Sequence, residues 1–216
     1  MPGFGVLVDD FDDGVRDPVK WSGSYGDIVE AAGRARVPCT SGFSAYQSAA
    51  AYTLAESQVA CRVYAPSAGG AAVEAVAELL VVSSVGGTDA GFSINVVTGQ
   101  MRMISRVGYA DGAEVDIAYE PVAHGWLRLR ESAGSLVWDT SADGATWTVR
   151  RTAASPAWVS DTNLSATLAG HRDSGSDDFA EFDSFNLLRR TALTAASPTG
   201  PVLAPLQRSV PSMIGG

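Results

Sequence analysis

The sequence has almost no lysine: of its 15 basic residues 14 are arginine, and Lys20 stands alone. Against them stand 24 acids, for a formal charge of -9. Nucleic-acid binders carry a basic stripe or a strongly basic pI, and an acidic surface repels phosphate backbones and anionic headgroups. Neither nucleic acid nor a membrane surface is an expected partner. Long apolar runs are missing as well. The longest, residues 71–82, carries Glu74 and Glu78 and is too short for a hydrocarbon core of about 30 Å. No basic stretch followed by an apolar one precedes Asp9 and Asp10, so export by a leader of its own is not expected. Cysteine and histidine are scarce. Cys39 and Cys61 lie in strand-like segments, and His124 and His171 in unrelated ones. Two cysteines cannot complete a zinc site. Both thiols are expected to face the core as buried structural groups, with a disulfide as the alternative.

What the chain does have is alternation. Hydrophobic residues make up 46% of its 216 positions, which sets it among globular chains of one domain or one domain plus a tail. Apolar and polar residues alternate with period 2, and the runs recur every 8–12 residues up to about Arg190, which predicts an all-β sandwich or barrel. The expected strands are 5–11, 28–31, 35–40, 58–64, 77–83, 91–97, 101–107, 115–119, 126–131, 136–141, 146–151 and 179–188. Residues 71–80 contain good helix formers, but Val73, Val76, Val81 and Val82 favour a long strand there. Glycine-rich breakers such as Gly86-Gly87, Asp111-Gly112 and Asp143-Gly144 separate the runs. Asp143-Gly144, between Trp138 and Trp147, fits a tight hairpin turn with positive φ at both central residues.

After Arg190 the composition shifts. Residues 191–216 hold four of the ten prolines, no aromatic residue and no acid, yet carry Leu193, Val202, Leu203, Leu206, Val210, Met213 and Ile214. A solvated linker is poor in large apolar residues. The expectation is a domain over 1–190 and a proline-rich extended arm over 191–216 that docks on another chain, with a loose tail as the alternative.

Three stretches carry a resemblance. Asp9-Asp10-Phe11-Asp12-Asp13-Gly14 is followed by Asp17-Pro18 and Lys20-Trp21. His124-Gly125-Trp126-Leu127-Arg128-Leu129-Arg130-Glu131 leads to Trp138 and to Ser141-Ala142-Asp143-Gly144-Ala145-Thr146-Trp147. Glu181-Phe182-Asp183-Ser184-Phe185 closes the set. Together they resemble concanavalin A-like lectin/glucanase (laminin-G-like) domains over about residues 4–190. The resemblance implies a two-sheet antiparallel β-sandwich, or jelly roll, whose last strand lies beside the first. Its functional content is broad, because lectins, glycosidases, sensor domains and virion parts share this architecture.

Glycosidases of this superfamily place Glu-x-Asp-x-x-Glu or Glu-x-Asp-x-Glu on one strand. The run Glu114-Val115-Asp116-Ile117-Ala118-Tyr119-Glu120 departs from both, since its last acid stands at i+6. At about 3.3 Å per residue Glu114 and Glu120 lie nearly 20 Å apart, far beyond the roughly 5–5.5 Å of a retaining pair. Val115, Ile117 and Tyr119 form an apolar face, which leaves the acids as its solvated side. No catalytic residue is expected and the chain is not expected to be an enzyme.

Acids crowd at the two ends of the domain, at Asp9, Asp10, Asp12, Asp13 and Asp17 and again at Asp173, Asp177, Asp178, Glu181 and Asp183. Many members of the superfamily bind calcium near this terminal pairing, so calcium at Asp10, Asp12 or Asp183 is one reading; solvated acids and turn caps are the other. For a sugar, an aromatic that stacks and a polar group that hydrogen-bonds are needed. Tyr109 with Asp111, Trp158, and His171 with Asp173 sit in loop-like sequence and are the binding candidates, ordinary loop residues being the alternative. The arginine bias with abundant alanine and glycine reads as GC-rich coding. With the resemblance it suggests a minor tail protein in the virion of a tailed phage of an actinobacterial host. Its expected partners are other tail subunits or a sister copy through the arm, which would make it a homo-oligomer, and host-surface polysaccharide. A cytoplasmic carbohydrate-binding module and a diverged glycosidase are the alternatives.

Overall fold

Alternating burial builds this chain into two antiparallel sheets. The structure, a computed structural model, describes residues 1–175 and 178–187. Its strands are β1 Val29–Glu30, β2 Ala35–Cys39, β3 Ser44–Gln47, β4 Gln58–Tyr64, β5 Ala75–Val82, β6 Asp89–Asn95, β7 Gln100–Arg106, β8 Val115–Ala118, β9 Trp126–Ser132, β10 Ser135–Ser141, β11 Thr148–Ala154, β12 Ser165–Arg172 and β13 Asp178–Asp183. One sheet runs β1-β2-β13-β4-β9-β10-β11 and the other β3-β12-β5-β6-β7-β8. Among the described residues the helices are two short 3-10 turns, Phe4–Val6 and Ala157–Ser160. The all-β sandwich is therefore as expected. The expected docking arm, 191–216, lies outside the described residues.

Strand β4 illustrates the rule: Val59, Cys61 and Val63 point into the core while Arg62 and Tyr64 point out. Between the sheets lie Leu79 and Val81 of β5, Phe92 and Ile94 of β6, Leu127 and Leu129 of β9, and Trp138 of β10. Both cysteines are free and buried, and burial raises the Cys39 thiol to about 11. They are structural thiols. Two polar ties cross the core. The Trp138 indole donates to the Gly91 carbonyl at 2.9 Å, and Arg151, stacked on the Trp138 ring, donates to the Met103 carbonyl and to Asp111. Position 91 must be glycine, because a Cβ there would lie 2.0 Å from the Leu79 carbonyl oxygen.

Four expectations need correction. Residues 5–11 do not form a strand. Asp9 and Asp10 bond the amides of Phe11 and Asp12, a local alternative to a ladder, and the segment's β pairing with the last strand's extension is a single bridge, Asp9 with Phe185. The hairpin at Asp143-Gly144 is no tight turn, since of the two only Gly144 has positive φ. The Asp143 carboxylate takes the amides of Ala145 and Thr146, so β11 starts at Thr148 rather than 146. Strands β3 and β12 were not expected at all. The small residues of β12 give little β signal, and its Gly170 sits where Cys39, Val37 and Ala180 would each stand 3.1–3.2 Å from a Cβ, a tight fit.

The start and end of the described chain are clasped by Asn186. Its amide nitrogen donates to the Phe4 and Leu7 carbonyls at 2.9 Å each, and its side-chain oxygen accepts from Ala60 of β4.

Candidate functional site

The outer face of the six-stranded sheet gathers the chemistry. Residues that alternate with the core positions make up its cross-strand rows. One row runs Ala169, Glu78, Ser93, Arg102, Asp116, and the next Thr167, Leu80, Gly91, Ile104. On either side lie His171, Val76, Asn95, Gln100 and Ser165, Val82, Asp89, Arg106. Val76, Leu80 and Ile104 are only 3–6% exposed, although the partner sheet covers the opposite side. This apolar floor lacks a side chain at Gly91, where none fits, so the face is hollow there. At one end a cavity of about 220 Å³ opens among Glu74, Asn95, Gln100, Arg102 and Asp116.

Most charges on this face are already paired. Arg106 holds both Asp89 oxygens at 2.9 Å, and Arg102 reaches Glu114 at 2.6 Å and Asp116 at 3.4 Å. Glu78 has no such partner among the described residues. Burial pushes its carboxyl above the ordinary range; Ser93 and Arg106 oppose that, while Asp89 and Glu74 add to it. The dominant cause is desolvation of a charge that no cation neutralises.

The far edge is short of hydrogen bonds. Thr167 Oγ1 and His171 Nδ1 are buried without a partner, while Gln47 reaches Ser165 at 3.3 Å. Phe43, 49% exposed, stacks on His171 with centroids 4.3 Å apart. Tyr25, 44% exposed, bridges Ala45 of β3, and Glu78 lies within electrostatic reach of its phenol.

Of the residues picked out from the sequence, only His171 lies on this face. Asp111 is not available to a ligand, because its buried carboxylate accepts from Arg151, Ser105 and Ala113. Trp158 is not in a loop but in the second 3-10 turn, where it belongs to the core. Tyr109 is exposed in the loop after β7, its ring lying over Gly87. Asp173 is exposed and caps the amides of Val73 and Glu74. These candidates are scattered because burial and partner choice are tertiary.

Asp9, Asp10, Asp13 and Asp17 line one shallow cavity with Lys20. Among the described residues no three His, Cys, Asp or Glu side chains are grouped as a metal would need. Asp10 bonds the Asp12 amide, Asp12 lies against Gly33, and Asp183 accepts from Ser184 beside Arg62 of β4. Crowding here raises the Glu30 carboxyl to about 7, through burial and its hydrogen bond to Asp13, so a proton relieves the repulsion. A separate cavity of about 480 Å³ lies among Val63, Tyr64, Pro66, Val96, Tyr119 and Pro121, with no carboxylate or basic side chain in its lining.

Sequence reasoning missed Glu78. The available signal was an acid at an outward position of a period-2 strand, flanked at i-2 and i+2 by Val76 and Leu80.

No protein-family model and no curated protein matches the chain. Solved structures do. The catalytic domain of an endo-1,3-beta-glucanase (laminarinase) from Thermotoga petrophila RKU-1 superposes with a TM-score of 0.62 at 13% identity, over 82% of this chain and 94% of that one. A beta-1,3-1,4-glucanase (lichenase) from a mouse hindgut metagenome gives 0.61 at 11%, over 82% and 96%. Laminarinase from Flavobacterium sp. UMI-01 gives 0.60 at 8%, over 82% and 96%. At these identities the likeness is one of fold, and the fold is the concanavalin A-like lectin/glucanase jelly roll.

Proposed function

We propose that this protein is a non-enzymatic carbohydrate-binding module of a tailed-phage virion, a minor tail or adsorption protein whose hollow sheet face engages host-surface polysaccharide. One observation carries the binding part. An apolar floor of Val76, Leu80 and Ile104 is bordered by the polar side chains of Gln47, Asn95, Gln100 and Arg102, with Tyr25 and Phe43 exposed at the rim. Sugar rings offer apolar faces edged with hydroxyls, and pockets that take them combine apolar walls with a few placed polar groups. Hydrolysis asks for two available carboxyl groups about 5–5.5 or 6.5–9.5 Å apart. Here Asp89, Glu114 and Asp116 are each held by an arginine, and Val76 stands between Glu74 and Glu78.

The virion setting draws on the arginine bias, the resemblance and the apolar proline-rich stretch. In this setting residues 191–216 attach the module to tail subunits or to a sister copy, and the protein is made in the host cytoplasm. Calcium at Asp10, Asp12 or Asp183 would lie off this sheet, so binding on the face is expected to survive EDTA. The test is affinity electrophoresis in gels containing laminarin, lichenan or sonicated actinobacterial cell-wall polysaccharide. At least one gel should retard the protein, Phe43→Ala should weaken retention about tenfold, equivalent to about 1.4 kcal/mol, and no reducing ends should appear. Free passage in every gel sinks the binding reading. Deleting 191–216 should abolish assembly into particles; an unchanged, monomeric protein would sink the virion reading.

A second reading, a diverged glycoside hydrolase, is favoured by one observation: Glu74, just before β5, and Glu78 within it lie on one face, and the Glu78 carboxyl is raised. Release of reducing sugar that disappears in Glu78→Gln would establish it.

A further inference from the structure

We propose that capture on the hollow face is gated by the proton on Glu78: the site takes an uncharged polyhydroxylated chain while this side chain is a carboxylic acid, and releases it when the side chain is a carboxylate. This inference rests on reading the face as a glycan site. The geometry supplies the gate. Glu78 sits in the middle strand pair of the sheet, half-buried, so it is reachable from outside yet poorly solvated. A chain laid over the floor removes what water remains. A carboxylate covered in this way has no cation of its own, because Arg106, which attracts it, is held by Asp89, and Arg102 is held by Glu114 and Asp116. Burial of an unpaired charge is costly, and such a group neutralises instead. As an acid, Glu78 both donates and accepts, which matches a sugar hydroxyl.

The same pairing argues for the ligand's charge. With both arginines committed, a uronate or phosphate on the chain would meet Glu74, Asp89 and Asp116 without a free base. The groups facing Glu78 are few: Glu74 just before its strand, Asp89 and Ser93 from β6, Arg102 and Arg106 from β7, His171 from β12, and the Tyr25 phenol. Two acids hold its proton in place and Arg106 opposes them. His171 is the imidazole on the same face, so the experiment includes a variant at each position.

Affinity electrophoresis of the full chain from pH 5 to 8, in the three polysaccharide gels, compares wild type with Glu78→Gln and His171→Gln. Urea unfolding without polysaccharide runs alongside. Only a protonated fraction binds, so wild-type affinity should fall about tenfold per pH unit above the carboxyl's folded pKa. Glu78→Gln should stay flat within about twofold, and His171→Gln should keep the wild-type slope. In urea the sign is fixed. Above the ordinary glutamate value near 4.3 the unfolded chain has lost its proton while the folded one keeps it, so wild type loses stability as pH rises through the folded pKa. Glu78→Gln loses nothing there, and the gap between their midpoints widens. A flat wild-type profile, a slope that survives in Glu78→Gln, or one that vanishes in His171→Gln overturns the proposal. If the urea gap widens but no gel retards any variant, the glycan reading has failed and the gate falls with it. If glycan binds but the gap stays constant, the gate alone has failed.

Discussion

The two outer faces of the sandwich are built on opposite principles. On the seven-stranded sheet the ion pairs are dense: Arg34 and Arg36 share Glu181, and Arg128 and Arg130 both reach Asp139 Oδ2 at 2.8–2.9 Å, while Asp139 Oδ1 is buried without a partner. The guanidiniums are also stacked, Arg34 over Tyr64, Arg36 over Phe179 and Arg128 over Trp147, at 3.6–4.2 Å from the ring centroids. On the six-stranded sheet Glu78 stands alone, Thr167 and His171 hold buried polar atoms without partners, and the centre is hollow. One face has spent most of its charges on one another. The other keeps some unspent, and a surface that tolerates such a deficit is where a ligand belongs.

Substitutions can break or sharpen that contrast. The largest effect is expected on the satisfied face. Asp139→Asn removes a 1% exposed carboxylate from between two guanidiniums and should cost about 3 kcal/mol in urea unfolding, the lower end for a broken buried pair because both arginines still reach water. A loss within experimental error would mean that face is not held by its charges. On the hollow face the sign should reverse. Thr167→Val replaces a buried partnerless hydroxyl with a methyl of the same shape and should raise stability by roughly 1 kcal/mol; a loss instead would show that the hydroxyl is satisfied. The smallest effect is expected for Arg102→Ala. Its pairs with Glu114 and Asp116 are about 40% exposed on both sides, so unfolding should shift by less than about 1 kcal/mol while glycan retention drops. Equal losses of stability and retention would reduce Arg102 to a structural role.

What could be read from the sequence follows physical lines. Strands whose inward residues are bulky or β-branched, such as Val59, Cys61 and Val63 in β4 or Leu127 and Leu129 in β9, announce themselves through period 2. Strand β12 does not, since its Ser-Ala-Thr-Leu-Ala-Gly-His-Arg run owes its place to what packs on Gly170. Turn chemistry was half legible: Asp143 marks the loop, but which amides its oxygens take depends on Ser141 as well. The site was harder. Asp111 and Trp158 look like loop residues until Arg151 and the core claim them. Glu78 looks like a charge that merely interrupts an apolar run, and only the neighbouring strands reveal that its surroundings are floor and not water.

The clasp at Asn186 has a topological consequence. Because one side chain holds the carbonyls of Phe4 and Leu7 and the backbone of Ala60, the polypeptide enters and leaves the sandwich at a single spot. The domain can therefore be inserted into a longer chain as a closed excursion, or its ends joined and new ones cut in an exposed loop, with neither sheet interrupted. A circular permutant opened between Gly86 and Gly87, where the chain turns from β5 into β6, should keep both faces.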